Sequence, residues 1–454
     1  LVVTPAGRAN DARGAAVRVL ERVERERSFA APVLEAELTR NVQLLPRDRA
    51  LATELTYGTL RVQPWLGQRV ARFAPRGIEK LDPRVRAHLL VAAYQLFFTR
   101  VPAFAAVSEA VRAVIAARGA RVGAFANAVL RKVASDAAGV TDEDRAEALV
   151  ASAPAWLREA LGRALGESGA RAFLTCGLEP PPVGIRVEEA TERGAWLARL
   201  RDAAAEARFE PGAVSPLCIL SRGAGKPQRL PGWSDGAWSV QEEGSQLAAL
   251  AVGARPGERI LDACAGRGNK TAILARQAGA PGAIAAVDAC DAMPAKLDRL
   301  REELARVGLA PHATFAVDWR VGSGDVRDVY DRVLVDAPCS GVGTLRRRPE
   351  IALRREPFDL RDLAAAQTAI AIRAAGHVRP GGSLVYVVCS VLREESEDVV
   401  DAVLRARPEL EPAPFDAPEA LAIAGVSSSF RLLPHVHATD GYFVARLRSR
   451  ATTL

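Results

Sequence analysis

The sequence predicts a multidomain chain: an all-α helix bundle first, a small α+β linker domain in the middle, and a doubly wound α/β domain last. Three observations carry this. Through residues 8–135 apolar side chains recur every three or four positions, the helical period. From about residue 240, short apolar runs alternate with helical stretches, the order that builds a parallel sheet. Between them lies a stretch of mixed character, broken by Pro180, Pro181 and Pro182. At roughly 150 residues per domain, the 454 residues suit three domains, placed at 1–140, 141–240 and 241–454.

In the bundle, Ala16, Leu20 and Val23 share a face, as do Leu51 with Leu55 and Leu89, Ala93 and Leu96 with Phe97. Val107, Val111 and Val114 follow, then Phe125, Val129 and Val133, with prolines between the segments. No nucleophile–base set is present, so a packing or docking role is expected. Residues 1–140 hold 22 Lys and Arg against 12 Asp and Glu, or +10 within a chain whose net charge is +7. A basic end on a slightly acidic body suggests an anionic partner, or else a solvated Arg-rich surface.

The segment 141–149, TDEDRAEAL, reads as a linker or a helix start. Leu157, Leu161 and Leu165 mark a helix, VGIRV (183–187) and LCIL (217–220) read as strands, and 193–204 as a helix. Strands of the last domain are expected at 259–263, 283–289, 314–317, 332–338 and 383–390, with helices at 291–307 and 359–377. Two late strands, near 430–434 and 442–447, end it, and His435 and His437 are taken as ordinary strand residues.

Hydrophobic residues make up 49% and charged residues 25%, which excludes disorder and collagen-like repeats as the main state. No apolar run reaches the ~20 residues of a membrane span, and LVVTPAGRAN lacks signal-peptide features. The 6 Cys include no CxxC pair and no zinc spacing. A cytoplasmic protein without metal, membrane association or disulfide framework is expected.

In sheets of this kind ligands bind beyond the carboxyl ends of the strands. The first strand runs into Asp262-Ala263-Cys264-Ala265-Gly266-Arg267-Gly268-Asn269-Lys270 and then a helix. Gly266 and Gly268 allow a tight turn, and the helix N-terminus suits an anionic group. A plain strand-to-helix turn would look the same. The third Gly of a dinucleotide fingerprint is missing, and no phosphate-binding G-x-x-x-x-G-K-[ST] occurs. The second strand is expected to end at Asp288, placed for ribose hydroxyls, and the third at Asp318, placed for an adenine edge. Successive acids without a phosphate loop suit S-adenosyl-L-methionine, which is cationic at sulfur.

The fourth strand leads through Asp336 to Pro338 and Cys339, the fifth to Cys389 and Ser390. If these strands are neighbours, two thiols face one crevice. Either alone is as readily a small core hydrophobe. As a pair they suit cytosine methylation, in which a thiolate adds to carbon 6 and makes carbon 5 nucleophilic. Asp336 could hydrogen-bond the ring nitrogen, and Lys270 could lower a thiol pKa. Removing the carbon 5 proton falls to the second Cys or to a hydroxide it guides. The three arginines of LRRRP (345–349) form either a phosphate contact or a solvated loop.

These residues resemble the RNA cytosine-5 methyltransferases of the NOL1/NOP2/Sun family, in its bacterial 16S rRNA branch, over nearly the whole chain. LATELTYGTLR (51–61), LLVAAYQLFFTRVPAFAAVSEAV (89–111) and FANAVLRKV (125–133) are similar to that branch's NusB-like RNA-binding domain. WSVQEEGSQLAAL (238–250) resembles the lead-in to a Rossmann-like methyltransferase domain, and DGYFVARL (440–447) its final strand. The resemblance implies donor contacts from Cys264, Ala265, Gly266, Arg267, Gly268, Asn269 and Lys270, with Asp288 and Asp318 as adenosine-binding acids. DAPCSGVGTLRRRPEI (336–351) implies cofactor or base contact by Asp336 and product release by Cys339. VYVVCSVLREESEDVV (385–400) implies Cys389 as the nucleophile. Two stretches depart: the family's usual CAAPGGKT is CAGRGNKT here, and its Thr before the nucleophile is Val388.

The expected function is therefore methylation of carbon 5 of a cytosine in 16S rRNA. A transfer RNA cytosine-5 methyltransferase, or a non-catalytic RNA-binding assembly factor, are the alternatives. A DNA cytosine-5 methyltransferase would use the Cys of the Pro-Cys segment, Cys339, as nucleophile.

Overall fold

The computed structural model describes residues 11–279, 286–326 and 329–451. They fall into two units, Leu1–Pro180 with Leu345–Arg354, and Pro181–Thr344 with Arg355–Leu454.

The first unit is helical. Helices span Ala12–Glu26, Ala30–Arg40, Pro46–Arg61, Gln63–Ala71, Pro83–Phe98, Ala103–Arg118 and Ala120–Asp136. Pro46, Pro64 and Pro83 lie in the first turns of their helices, where a missing N–H costs nothing. Leu20, Leu55, Leu66, Leu89, Phe97 and Leu130 are buried in one core. The acidic segment at 141 is a helix start: Thr141 and Asp144 form a capping box on Asp142–Ser152. Helix Ala155–Thr175 follows, kinked at Gly166. These two helices, expected with the linker domain, belong to the helical unit.

So does the decapeptide 345–354, which the chain contributes from the middle of the methyltransferase-like sequence. Its Glu350 is buried and accepts a hydrogen bond from Ala30 N at 3.0 Å. Arg61 Nη2 donates to the Arg346 carbonyl at 2.9 Å, and the Arg354 guanidinium lies 4.2 Å from the Phe29 ring centre. Leu353 packs on the helical core. A segment whose arginines read as either a phosphate contact or a solvated loop is thus tied down by its Glu and Leu.

The second unit contains two sheets. The smaller comprises β1 (Val183–Val187), β2 (Arg208–Pro211), β3 (Cys218–Arg222) and β4 (Trp238–Val240), all antiparallel, in the order β2-β3-β1-β4. Helix Arg193–Ala203 and the buried Trp238, Phe209 and Ile219 complete its core.

The larger sheet comprises β5 (Ile260–Asp262), β6 (Val287–Asp291), β7 (Ala313–Ala316), β8 (Tyr330–Asp336), β9 (Val378–Val388), β10 (Leu410–Pro412), β11 (Ser429–Leu432) and β12 (Tyr442–Ser449). Its order is β10-β12-β9-β8-β5-β6-β7, with β11 also on β12. The five strands β7, β6, β5, β8 and β9 are parallel. β12 runs antiparallel to each of its partners β9, β10 and β11. The sheet is therefore mixed. His435 and His437 lie in the one-turn helix Pro434–His437 and not in a strand.

Both faces are covered, as parallel strands require. Leu274, Leu300 and Leu304 fill one side, and Ile370, Ala371 and Ala374 the other. The strand order turns back between β5 and β8, which places the ligand crevice at their carboxyl ends. Among the described residues no helix is long and apolar enough to cross a membrane.

Candidate active site

β5 ends in Asp262, fully buried, whose Oδ2 accepts from Thr271 Oγ1 at 2.7 Å. Burial pushes its pKa up to about 7, and the charge of Asp336 adds to the rise. The following loop turns on Gly266 (φ 58°) and Gly268 (φ 87°). Gly268 is required on two grounds: its backbone is left-handed, and a Cβ there would lie 2.9 Å from Leu300 Cγ and 3.0 Å from Leu304 Cδ1. At Gly266 a Cβ would meet nothing within 4 Å, so the loop faces open space. Ala265 N donates to the Cys290 carbonyl at 2.7 Å, tying the loop to β6. Arg267 is exposed, and the Asn269 carbonyl accepts from the buried Arg186 of β1 at 2.7 Å. Cys264 is partly buried, and burial raises its thiol pKa.

Asp288 is not where the sequence reading placed it. Part of the expected strand, 283–285, lies outside the described residues, and β6 runs on to Asp291. Asp288 is buried among Tyr330, His312 and Arg259, at the amino ends of the strands. Asp291 occupies the carboxyl end instead. Its carboxylate accepts from Gly266 N at 3.2 Å and Met293 N at 2.9 Å and pairs with Lys296 at 3.3 Å. Cys290 behaves as a small hydrophobe and carries the buried run past Asp288.

Asp318 stands two residues beyond β7, half-buried, and Arg320 holds its pKa down through hydrogen bonds. The neighbouring Trp319, unnoticed in the sequence, is buried and donates to the Ala263 carbonyl at 2.8 Å. That bond anchors the third loop to the first.

Across the switch point, Lys270 Nζ lies 2.6 Å from Asp336 Oδ2. Burial alone would lower the Lys270 pKa, but Asp336, and then Cys389 and Asp262, raise it, so the ammonium is held charged. Asp336 pairs with Val387 of β9 in the parallel register, which brings the ends of β8 and β9 side by side. There Cys339 Sγ and Cys389 Sγ are 3.2 Å apart. The hydrogen bond to Cys389 raises the Cys339 pKa well above an ordinary thiol, and burial, then the charges of Cys389 and Glu395, add to it. Cys339 therefore keeps its proton, and either sulfur of the pair can act as the hydrogen-bond donor.

Gly343 N donates to the Cys389 carbonyl at 3.0 Å, and a Cβ on Gly343 would overlap the Gly441 carbonyl oxygen. The turn after Cys339 is thus stitched between the end of β9 and the start of β12. Val388 is fully buried in the apolar core opposite Phe443, so its methyl groups pack where the family's Thr would put a hydroxyl. All 6 cysteines are free thiols. Among the described residues no three His, Cys, Asp or Glu side chains group to hold a metal ion.

Residues 249–448 match the family model described as 16S rRNA methyltransferase RsmB/F, and residues 10–135 match the NusB family. The chain is 37% identical to putative methyltransferase Rv1407 of Mycobacterium tuberculosis over 96% of each. It is 33% identical to ribosomal RNA small subunit methyltransferase B of Pseudomonas syringae, covering 88% of this chain and 89% of that one. The solved structure of PH0851 shares the fold at a TM-score of 0.76 and 22% identity, over 98% of this chain and 99% of that one. The chain belongs to the RsmB/F family of 16S rRNA methyltransferases.

Proposed function

We propose that the enzyme methylates carbon 5 of a cytosine in 16S rRNA through a covalent bond between Cys389 and carbon 6. The carrying observation is the 3.2 Å contact of Cys339 and Cys389 at neighbouring strand ends, beside the Lys270–Asp336 pair. Such an enzyme works in the cytoplasm, where its RNA is found.

The crevice fits S-adenosylmethionine on its donor set. Gly266 leaves open space, and Asp262, Asp291 and Asp336 gather carboxylates at three adjacent strand ends, which suits ribose hydroxyls and a sulfonium. The loop 264–270 and Asp291 would hold it, with Asp318 at the adenine side. When bound it supplies an electrophilic methyl group.

Cys389 is the nucleophile. Its sulfur adds to carbon 6 of a cytosine unstacked into the crevice, and the π pair moves to carbon 5. Lys270, charged and close, stabilises the thiolate before addition. Asp336 takes the ring nitrogen side, where a hydrogen bond favours addition. After methylation the carbon 5 proton leaves, the carbon–sulfur bond breaks and the ring double bond returns. Cys339 serves this last step, its S–H guiding the hydroxide that takes the proton. The basic helical unit and the arginines at 346–348 hold RNA phosphates.

Bisulfite mapping of 16S rRNA, with and without the protein, tests the product. A single cytosine losing its 5-methyl group supports the reading, and an unchanged map with loss of methylation in transfer RNA replaces it with the rival substrate.

A further inference from the structure

The turn that carries Cys339 is gripped from behind by a group the chemistry above does not use. Glu395 lies in the short helix Arg393–Glu395 that follows the Cys389 strand, and it is fully buried. Its Oε1 accepts from Ser340 N at 2.7 Å and from Gln367 Nε2 at 2.9 Å. Its Oε2 accepts from Ser340 Oγ at 2.5 Å. Gln367, also fully buried, uses the same amide nitrogen to reach the Pro338 carbonyl at 3.0 Å. The Tyr386 hydroxyl lies 3.0 Å from Gln367 Oε1 and 2.8 Å from the Glu395 carbonyl oxygen. Residues 338 and 340, on either side of Cys339, are therefore both held by one closed network.

A buried carboxylate is expensive unless paired or fully hydrogen-bonded. No cation pairs with Glu395 among the described residues; neutral donors alone satisfy it. An uncharged side chain of the same shape would hold the turn at less cost, so the charge itself calls for a use. Its field falls on Cys339, where it helps to keep the proton on sulfur.

We propose that Glu395 is a positioning residue of the methyl-transfer reaction: it fixes the turn that presents Cys339 to Cys389, and so governs release of product and not attack. This rests on the reading of Cys339 as the residue of release. Holding and charge can be told apart, because the substitution Glu395→Gln keeps the shape of the side chain and removes its charge.

The test is Glu395→Gln in the full-length protein, read three ways. Single-turnover methyl transfer should stay close to wild type. Multiple turnover should fall about tenfold or more, with a denaturant-resistant protein–RNA adduct accumulating. In a Cys389→Ser background, the pH midpoint for iodoacetamide alkylation of Cys339, followed by mass spectrometry, should drop by about one unit when Glu395→Gln is added. A merely structural residue would not move that midpoint. Unchanged turnover and an unchanged midpoint overturn the proposal. Should Glu395→Gln fail to fold, Ser340→Ala decides: it cuts the Oε2 contact, with the hydroxyl's contacts to Ser390 Oγ and Val342 N, and leaves Ser340 N on Oε1; adduct accumulation supports the proposal while normal turnover overturns it. Cys339→Ala separates the two levels. If it traps RNA and Glu395→Gln does not, only this inference fails; if Cys339→Ala turns over normally, the reading beneath it fails.

Discussion

Lys270 Nζ sits 2.6 Å from Asp336 Oδ2, so the first helix after β5 is bonded to the end of β8 across the point where the strand order reverses. The charges of Asp336 and Cys389 both favour the charged form of the ammonium. Lys270→Met should lower kcat/KM about 100-fold, the usual cost of losing one preorganised charge at a reacting group. Single-turnover methyl transfer measures it, and Lys270→Arg should recover only part, because a planar fork replaces a point charge.

Asp291 and Asp288 provide a paired comparison three residues apart. Asp291→Asn should weaken S-adenosylmethionine binding about 10–100-fold, the loss of a charged hydrogen-bond acceptor. Asp288→Asn should leave that affinity unchanged and lower the melting temperature, because Tyr330 and His312 lose their charged partner. Isothermal titration and thermal unfolding read the two effects separately.

The two glycines of the donor loop differ in what surrounds them. Gly268→Ala adds a methyl at 2.9 Å from Leu300 in a left-handed backbone, and should cost about 2–4 kcal/mol. Gly266→Ala, with open space around it, should cost only the backbone strain of about 1–2 kcal/mol. Urea unfolding of the two variants would show the order.

Asp262 gives a pH signature. Its pKa is raised to about 7 in the folded protein, so the native state binds the extra proton between roughly pH 4 and 7. Its contribution is most favourable below that window and is lost as pH rises through 7. Asp262→Asn, which can still accept from Thr271, should therefore stabilise the protein at pH 8 by about 1–4 kcal/mol and by little at pH 4. Melting temperatures of both proteins across that range test the sign.

Much of this was legible in the residues, for identifiable reasons. Helical periodicity and first-turn prolines mark the bundle, and strand-end motifs mark Cys339, Cys389, Lys270 and Asp336 because the chain must turn there. Asp291 was missed because a Cys interrupts the apparent apolar run, and hydropathy alone does not tell a thiol in a core from one at an edge. Glu395 was missed because its partners, Ser340 and Gln367, are 55 and 28 residues away in sequence. Residues 345–349 read as either a phosphate contact or a solvated basic loop, and the capture of 345–354 by the helical core depends on Glu350 meeting Ala30, 320 residues away. β4 has only three residues, below the length at which alternation is readable.

The most direct measurement uses 16S rRNA containing 5-fluorocytosine, incubated with the wild-type enzyme and S-adenosylmethionine. Fluorine at carbon 5 cannot leave as a proton, so the final step stops and the RNA stays bonded to its nucleophile. Peptide mapping should place the adduct on Cys389. An adduct on Cys339, or none while ordinary RNA is still methylated, would contradict the account.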